Sequence, residues 1–222
     1  QTMVYFSKKN IKCVGFDINK EKVRKINSGV IPLKDLEKWF GFNIKKMVKN
    51  GYLQATTNPD DLISEKFIAH FIAVPTEKDG KPYYKPLMSV LNNIAKIRNK
   101  ETKIPPLVIV ESTLAPKVSD KKILPFLRKK KFQIGKNILF SVAPRRDWFI
   151  EGVKNLENLD RVYGSTDKYS AKVTKDILSI VCKKLHTASS YKVSEMVKSV
   201  ENAYRLSLIH ISEPTRLPGI SY

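Results

Sequence analysis

Acidic residues are scarce in this chain: 21 aspartates and glutamates stand against 41 lysines and arginines, a formal charge of +20 over 222 residues. Such a surplus favours polyanionic partners. The pairs Lys8-Lys9, Lys45-Lys46, Lys121-Lys122 and Lys183-Lys184 nevertheless fall on separate predicted elements, whereas a nucleic-acid reader gathers its cations into one stripe with aromatics between them. The run from Arg128 to Lys131 closes a predicted helix, where cations suit the negative end of the dipole. The expectation is solvated helix faces and no nucleic-acid partner, with an anionic small ligand as a further reason for the sign. Cysteine is nearly missing. Cys13 and Cys182 lie far apart without metal spacing, which excludes a disulfide framework and reads them as reduced core residues. No apolar run approaches the ~18 residues that suggest a bilayer span, so no membrane partner is expected. The opening QTMVYFSKKN lacks the basic start and apolar core of a signal peptide, and a cytoplasmic location is expected.

Glycine is the most telling shortage, because only nine occur and none precedes Gly15. The stretch VGFDINKEKV, residues 14 to 23, reads as the end of a buried strand closed by Asp17. An acid so placed normally holds the ribose of a dinucleotide, about 20 residues after a G-x-G-x-x-G phosphate loop. Here no such loop stands ahead of it. The plainer reading of Asp17 is a helix-capping acid before Asn19.

What is present is an alternation of short apolar runs with longer amphipathic stretches, the pattern of βαβ units. Lys12 to Asp17, Leu53 to Thr56, Phe67 to Thr76, Pro106 to Thr113, NILFSVAP and DRVYGST read as strands. Two of them are apolar almost throughout, as befits parallel strands covered on both faces. NKEKVRKINSG reads as a helix opened by an Asn19 cap and stopped at Gly29. Further helices are expected around Leu87 to Ile97, over KVSDKKILPFLRKKK and over KYSAKVTKDILSIVCKKL. No internal repeat interrupts the pattern, so residues 1 to about 188 are expected to form one doubly wound α/β domain with a single large sheet. Ligands in such sheets bind beyond the carboxyl ends of the strands. Asp17, the VPT of Val74 to Thr76 and the EST of Glu111 to Thr113 stand at three of those ends.

Those strand ends, together with GFDIN, the Ile26-Asn27-Gly29 turn, ATT, AVPT, VESTLAP and VKSVENAYR, resemble the UDP-glucose/GDP-mannose dehydrogenase family from about Thr2 to Arg205. The resemblance implies a Rossmann-like, mostly parallel fold that lacks its first strand and glycine-rich loop, followed by the start of a long inter-domain helix. Residues 2 to 10 then correspond to the back half of the helix after the loop, and the chain is expected to be an N-terminal fragment that binds its cofactor weakly. The domains expected are residues 1–188, the truncated NAD-binding unit, 189–205, the start of a central dimerisation helix, and 206–222, a tail foreign to the family whose Pro214 and Pro218 oppose a helix.

Family members oxidise the C6 hydroxyl of a nucleotide sugar to a uronic acid with two molecules of NAD, and they serve polysaccharide biosynthesis. The resemblance therefore implies NAD as cofactor, UDP-glucose or a UDP-N-acetylhexosamine as substrate, and a homodimer for the full-length protein. Asp17 would accept the ribose hydroxyls with Lys22 beside the adenosine end, which favours NAD over NADP. Thr76 and Thr113 would face the nicotinamide, Thr113 also reaching a water or the sugar oxygen. Lys198 and Asn202, four apart on one predicted helix face, would steady a developing alkoxide. Without the resemblance both threonines read as ordinary strand terminators and Lys198 as a surface lysine.

Three departures from the family are visible. Arg145 follows Pro144 where the family places a glutamate, leaving Glu151 as the substitute acid, while Arg145 and Arg146 suit either a phosphate clamp or structural ion pairs. Neither cysteine occupies the place of the family's nucleophile, so the chain alone is expected to be inactive. The tail is the third. His70, His186 and His210 lack ligand spacing, and no metal is expected. Two rival readings are a basic nucleic-acid-binding α/β module and another hydroxyl-oxidising NAD dehydrogenase.

Overall fold

The computed structural model describes residues 1–32, 42–63, 67–96, 104–145 and 156–212. Helix α1 (Thr2–Lys8) precedes strand β1 (Cys13–Phe16), helix α2 (Lys20–Asn27), a short α3 (Lys45–Lys49) and strand β2 (Leu53–Thr56). As expected, α2 opens on Asn19, whose side chain accepts the Lys22 amide. After a short α4 (Asp60–Ile63) come β3 (Ala69–Ile72), the β4–β5 hairpin (Glu77–Lys78 and Lys81–Pro82), α5 (Lys85–Lys96) and β6 (Leu107–Val110). A π-helical turn, Ser119–Ile123, runs directly into α6 (Leu124–Lys129). Strands β7 (Leu139–Val142) and β8 (Arg161–Ser165), helix α7 (Lys168–Ser179), β9 (Leu185–Thr187) and the long α8 (Tyr191–Ser212) complete the order.

The expected large, mostly parallel sheet is divided between two ladders, with the β4–β5 hairpin as a separate third pair. Strands β1 and β2 pair in parallel, and β3-β6-β7-β8-β9 form a separate five-stranded sheet in which only β7 and β8 run antiparallel. Among the described residues no backbone ladder joins β1 to the larger sheet, and side chains and α1 make the connection. Phe6 of α1 packs on Phe71 of β3 with ring centroids 5.3 Å apart, and Leu53 and Cys13 join the same apolar cluster. At Gly15 a β-carbon would lie 2.5 Å from the Met3 sulfur, so the end of that flexible side chain of α1 occupies the space a larger residue would take.

Both faces of the larger sheet are covered, which explains its continuous apolar strands. Ile72, Val108, Val110, Phe140 and Val142 pack under α5 and the Ser119–Lys129 helical run. Leu107, Ile109, Leu139 and Tyr163 pack on the other side under Val173 and Leu178 of α7. The loop before α8 lies across β8, and Gly164 makes the approach possible. A β-carbon there would sit 2.2 Å from the Ser190 carbonyl oxygen, an obstacle of rigid backbone rather than a yielding side chain. Gly164→Ala is expected to lower stability by about 2–3 kcal/mol, the upper range for overpacking, measured by urea unfolding.

The expected departure from helix at Leu206 is also corrected: α8 continues past Arg205 to Ser212. Proline restricts itself and the residue before it, so Pro214 places no bar on the turns that end two residues earlier.

Candidate functional site

Helix α1 orients the ends of both sheets. Its first turn meets the carboxyl end of β6, where the Thr2 hydroxyl donates to the Glu111 carboxylate at 2.8 and 3.0 Å. Its last turn meets the start of β2, where the Ser7 hydroxyl donates to the Tyr52 carbonyl at 2.9 Å. The helix thus runs against the strands, as crossover helices do, and its N-terminus points to the edge at which Asp17, Thr76 and Thr113 emerge.

At that edge β3 and β6 are stitched side chain to backbone. The Ser112 hydroxyl accepts the Val74 amide at 2.8 Å and donates to the Val74 carbonyl at 2.7 Å. The Thr76 hydroxyl donates to the Thr113 carbonyl at 2.5 Å. These bonds bring both expected threonines to one cavity of about 610 Å³, whose other walls are the β4–β5 hairpin and Ser199 and Asn202 of α8. The volume is that of a small-molecule cleft. Thr113 and Asn202 are exposed to it, while Thr76 spends its hydroxyl proton on the neighbouring strand end. Lys198 is half-buried one residue before Ser199 and does not line the cavity.

Asp17 follows β1 as expected, and its turn contact matches the capping reading. One carboxylate oxygen accepts the Asn19 amide at 2.9 Å, fixing the turn into α2, and the other lies 3.7 Å from the Lys22 ammonium. Both side chains are more than a third exposed, so the pair is worth about 1 kcal/mol at most and opens readily to a hydroxyl ligand. Glu151 and Arg146 lie outside the described residues. Cys13 and Cys182 are packed in the apolar cluster below α1, and burial pushes both thiols up.

Sequence reasoning left Glu111 without a role, yet it is the centre of a buried polar node. The carboxylate is 4% exposed and pairs with the Arg161 guanidinium, itself 3% exposed, which also donates to the Ala143 carbonyl at 2.9 Å. Burial alone would raise the Glu111 pKa; the charges of Arg161 and then Arg145 outweigh it and hold the group below the ordinary value. The Arg145 charge acts on the same carboxylate. Nothing in the sequence pairs an acid at the end of one apolar run with an arginine at the start of another fifty residues on. The β4–β5 hairpin, a wall of the cavity, was also missed, although Asp79 and Gly80 at its tip are a standard turn pair.

Residues 1–182 match the model of the UDP-glucose/GDP-mannose dehydrogenase family, NAD binding domain. The chain belongs to that family. Among curated relatives, it is 31% identical over 196 residues to a UDP-N-acetyl-D-mannosamine dehydrogenase of Methanocaldococcus jannaschii, covering 86% of this chain and 42% of that protein. It is 26% identical over 196 residues to Protein CapL of Staphylococcus aureus, covering 87% and 44%. The chain therefore spans under half the length of these dehydrogenases. A solved UDP-N-acetyl-mannosamine dehydrogenase, Cap5O from Staphylococcus aureus, superposes with a TM-score of 0.79 at 24% identity, covering 95% of this chain and 49% of that one. That likeness bears on the fold, a Rossmann-type α/β architecture, and agrees with the expectation from strand and helix spacing. Membership of the dehydrogenase family makes NAD the cofactor of the matched domain.

Proposed function

We propose that this chain is the NAD-binding part of a dehydrogenase that oxidises the C6 hydroxyl of a UDP-sugar to the uronic acid, with a UDP-N-acetylhexosamine as substrate. The observation that carries the reading is the Thr76–Thr113 bond of 2.5 Å, which gathers two strand-end hydroxyl residues at a cavity that Asn202 closes from α8. The sugar is narrowed by the relatives' names: UDP-N-acetyl-D-mannosamine dehydrogenases of Methanocaldococcus jannaschii and Methanococcus aeolicus are each 31% identical to the chain.

The residues present fit the cofactor. Asp17 offers an accessible carboxylate at a strand end, and the cavity is of a size for a planar ring. A bound NAD would supply the hydride acceptor for C6. Thr113 orients the sugar oxygen or a water beside it. The Asn202 amide donates to the same oxygen as negative charge grows there, and Lys198, one turn earlier, adds a positive charge to that end of α8. Oxidation to the acid level calls for a thiolate nucleophile, and both cysteines of this chain are packed under α1, so we expect no complete reaction from it alone. Glu151 is retained as the candidate acid in place of the family's glutamate.

Titration of the chain with NAD and NADP by ligand-observed NMR tests the reading. NAD is expected to bind more tightly than NADP. Asp17→Ala is expected to weaken NAD about tenfold, the value of about 1.5 kcal/mol for a hydrogen bond to a charged group. Equal affinity of the two proteins for NAD overturns the assignment of Asp17.

We also propose that α8 supports self-association. Val193, Met196, Val200 and Tyr204, which form the apolar stripe of that helix, are 46%, 47%, 58% and 64% exposed. Val200→Glu is expected to shift the chain from dimer to monomer in sedimentation equilibrium; an unchanged mass excludes this face.

A further inference from the structure

Tyr191, Glu195 and Ser199 stand four residues apart on α8 and so stack along one side of it. Each reaches the same strip of chain. The Tyr191 hydroxyl donates to the Asp120 carboxylate, a Glu195 oxygen accepts the Ser119 amide at 3.0 Å, and the Ser199 hydroxyl donates to the Leu114 carbonyl at 3.4 Å. As the helix steps forward, its partners step back from 120 to 114. At the end of this seam stand Asn202 on the helix and Thr113 on the strip, both walls of the cavity.

Glu195 is the costly member. It is 1% exposed, and desolvating a carboxylate costs several kcal/mol unless hydrogen bonds compensate. Burial pushes its pKa up, while the backbone amides of Ser119 and Val118 pull it down and Asp120 opposes them. Those amides begin the helical run Ser119–Lys129, whose positive end favours an acceptor there. A carboxylate kept here at such cost, three residues before Lys198 and seven before Asn202, is placed to fix where those two side chains point.

We propose that Glu195 is a positioning residue: by accepting the amides at the start of the Ser119 helix it sets the depth and rotation of α8, and so the approach of Asn202 to Thr113 across the cavity. The inference rests on reading the cavity as the nicotinamide side of the cofactor crevice. It gives Glu195 no contact with cofactor or sugar.

The test uses the 222-residue chain with Glu195→Gln, which keeps an oxygen for the amides, and Glu195→Ala, which removes it. NAD and ADP-ribose, which lacks the nicotinamide ring, are titrated by ligand-observed NMR. Hydrogen exchange is followed over residues 113–119, 139–142 and 161–165. ADP-ribose is expected to bind all three proteins alike. The preference for NAD over ADP-ribose is expected to survive in Glu195→Gln and to fall about fivefold in Glu195→Ala, the value of about 1 kcal/mol for one net hydrogen bond. Exchange over 113–119 is expected to quicken in Glu195→Ala alone, with the two strand segments unchanged. An unaltered preference in Glu195→Ala overturns the proposal, as does a loss in Glu195→Gln as large as that in Glu195→Ala. If neither ligand binds the unaltered chain, the cofactor reading fails, and exchange alone decides the clamp: selective quickening over 113–119 upholds it, and uniform or absent quickening overturns it.

Discussion

Replacing Arg161 with Met is expected to lower the unfolding free energy by about 3–5 kcal/mol, the usual cost of removing one partner from a buried ion pair. The guanidinium neutralises Glu111 and ties it to the Ala143 carbonyl at 2.9 Å, so its loss leaves a carboxylate stranded among apolar strand ends. The Arg145 charge, which also favours ionised Glu111, is expected to recover part of the loss, and Thr2 still donates to the carboxylate. The double variant Arg161→Met with Glu111→Leu is expected to regain most of the stability, since a packed apolar pair removes the need for a partner. Urea unfolding of the wild type, both single variants and the double variant closes the cycle. Additive losses in the double variant would show that each residue acts through packing rather than through the pair. Acidity supplies an independent check on sign. The Glu111 pKa is depressed in the folded protein, so its contribution is fully present above the ordinary carboxylate range and disappears as the pH falls through the folded value.

The node also marks the boundary of what could be read from residues in order. The placement of Asp17, Thr76 and Thr113 beyond strand ends was legible because each follows an apolar run, and the end of a parallel strand is where such a fold exposes polar atoms. Asn202 was legible through resemblance, and the cavity includes it. Glu111 ends an apolar run just as Thr113 nearly does, yet its partners Thr2 and Arg161 are 109 and 50 positions away. Pairing at that distance is a property of the packed sheet and leaves no local period. Glu195 lies between these cases. Its four-residue spacing from Tyr191 and Ser199 is visible in the chain as a polar stripe beside the apolar one. Which stripe faces inward was not visible: Val193, Met196, Val200 and Tyr204 are exposed and Glu195 is buried.

The division of the parallel sheet into ladders was not legible for a related reason. Alternating strand and helix signals specify that strands run parallel, but not which neighbour each one bonds. Strands β1 and β2 carry the same kind of apolar run as β3 and β6, and the burial of Leu53 and Ala55 is satisfied equally by side-chain packing against α1 and by a continuous ladder.

Acid is expected to unfold the chain in a first step that His70 controls. His70 lies in β3 opposite Val108, on the face shared with Ile72 beneath α5, with the Phe67 ring 5.9 Å away edge-on. The side chain is half-buried, and desolvation at that site lowers its pKa from 6.5 to about 4, a drop that is an upper bound for a group that keeps some contact with solvent. The unfolded chain therefore binds a proton between those values that the folded chain refuses, so stability rises with pH across the window. It is complete above about 6.5 and is lost progressively as the pH falls toward 4. With about 1.4 kcal/mol for each tenfold change in proton affinity, the gap amounts to at most about 3 kcal/mol. His70→Phe keeps a ring of similar size and removes the titration. Urea midpoints measured from pH 7 to pH 4 are expected to fall steeply in the wild type and gently in His70→Phe, the curves diverging below about pH 6.5. Parallel curves would place the imidazole mostly in water and assign the acid lability to the carboxylates, whose window lies lower. The segment that leaves β3 carries Thr76, four residues past Ile72, so acid that loosens β3 around His70 is expected also to weaken the Thr76–Thr113 bond on which the cavity depends.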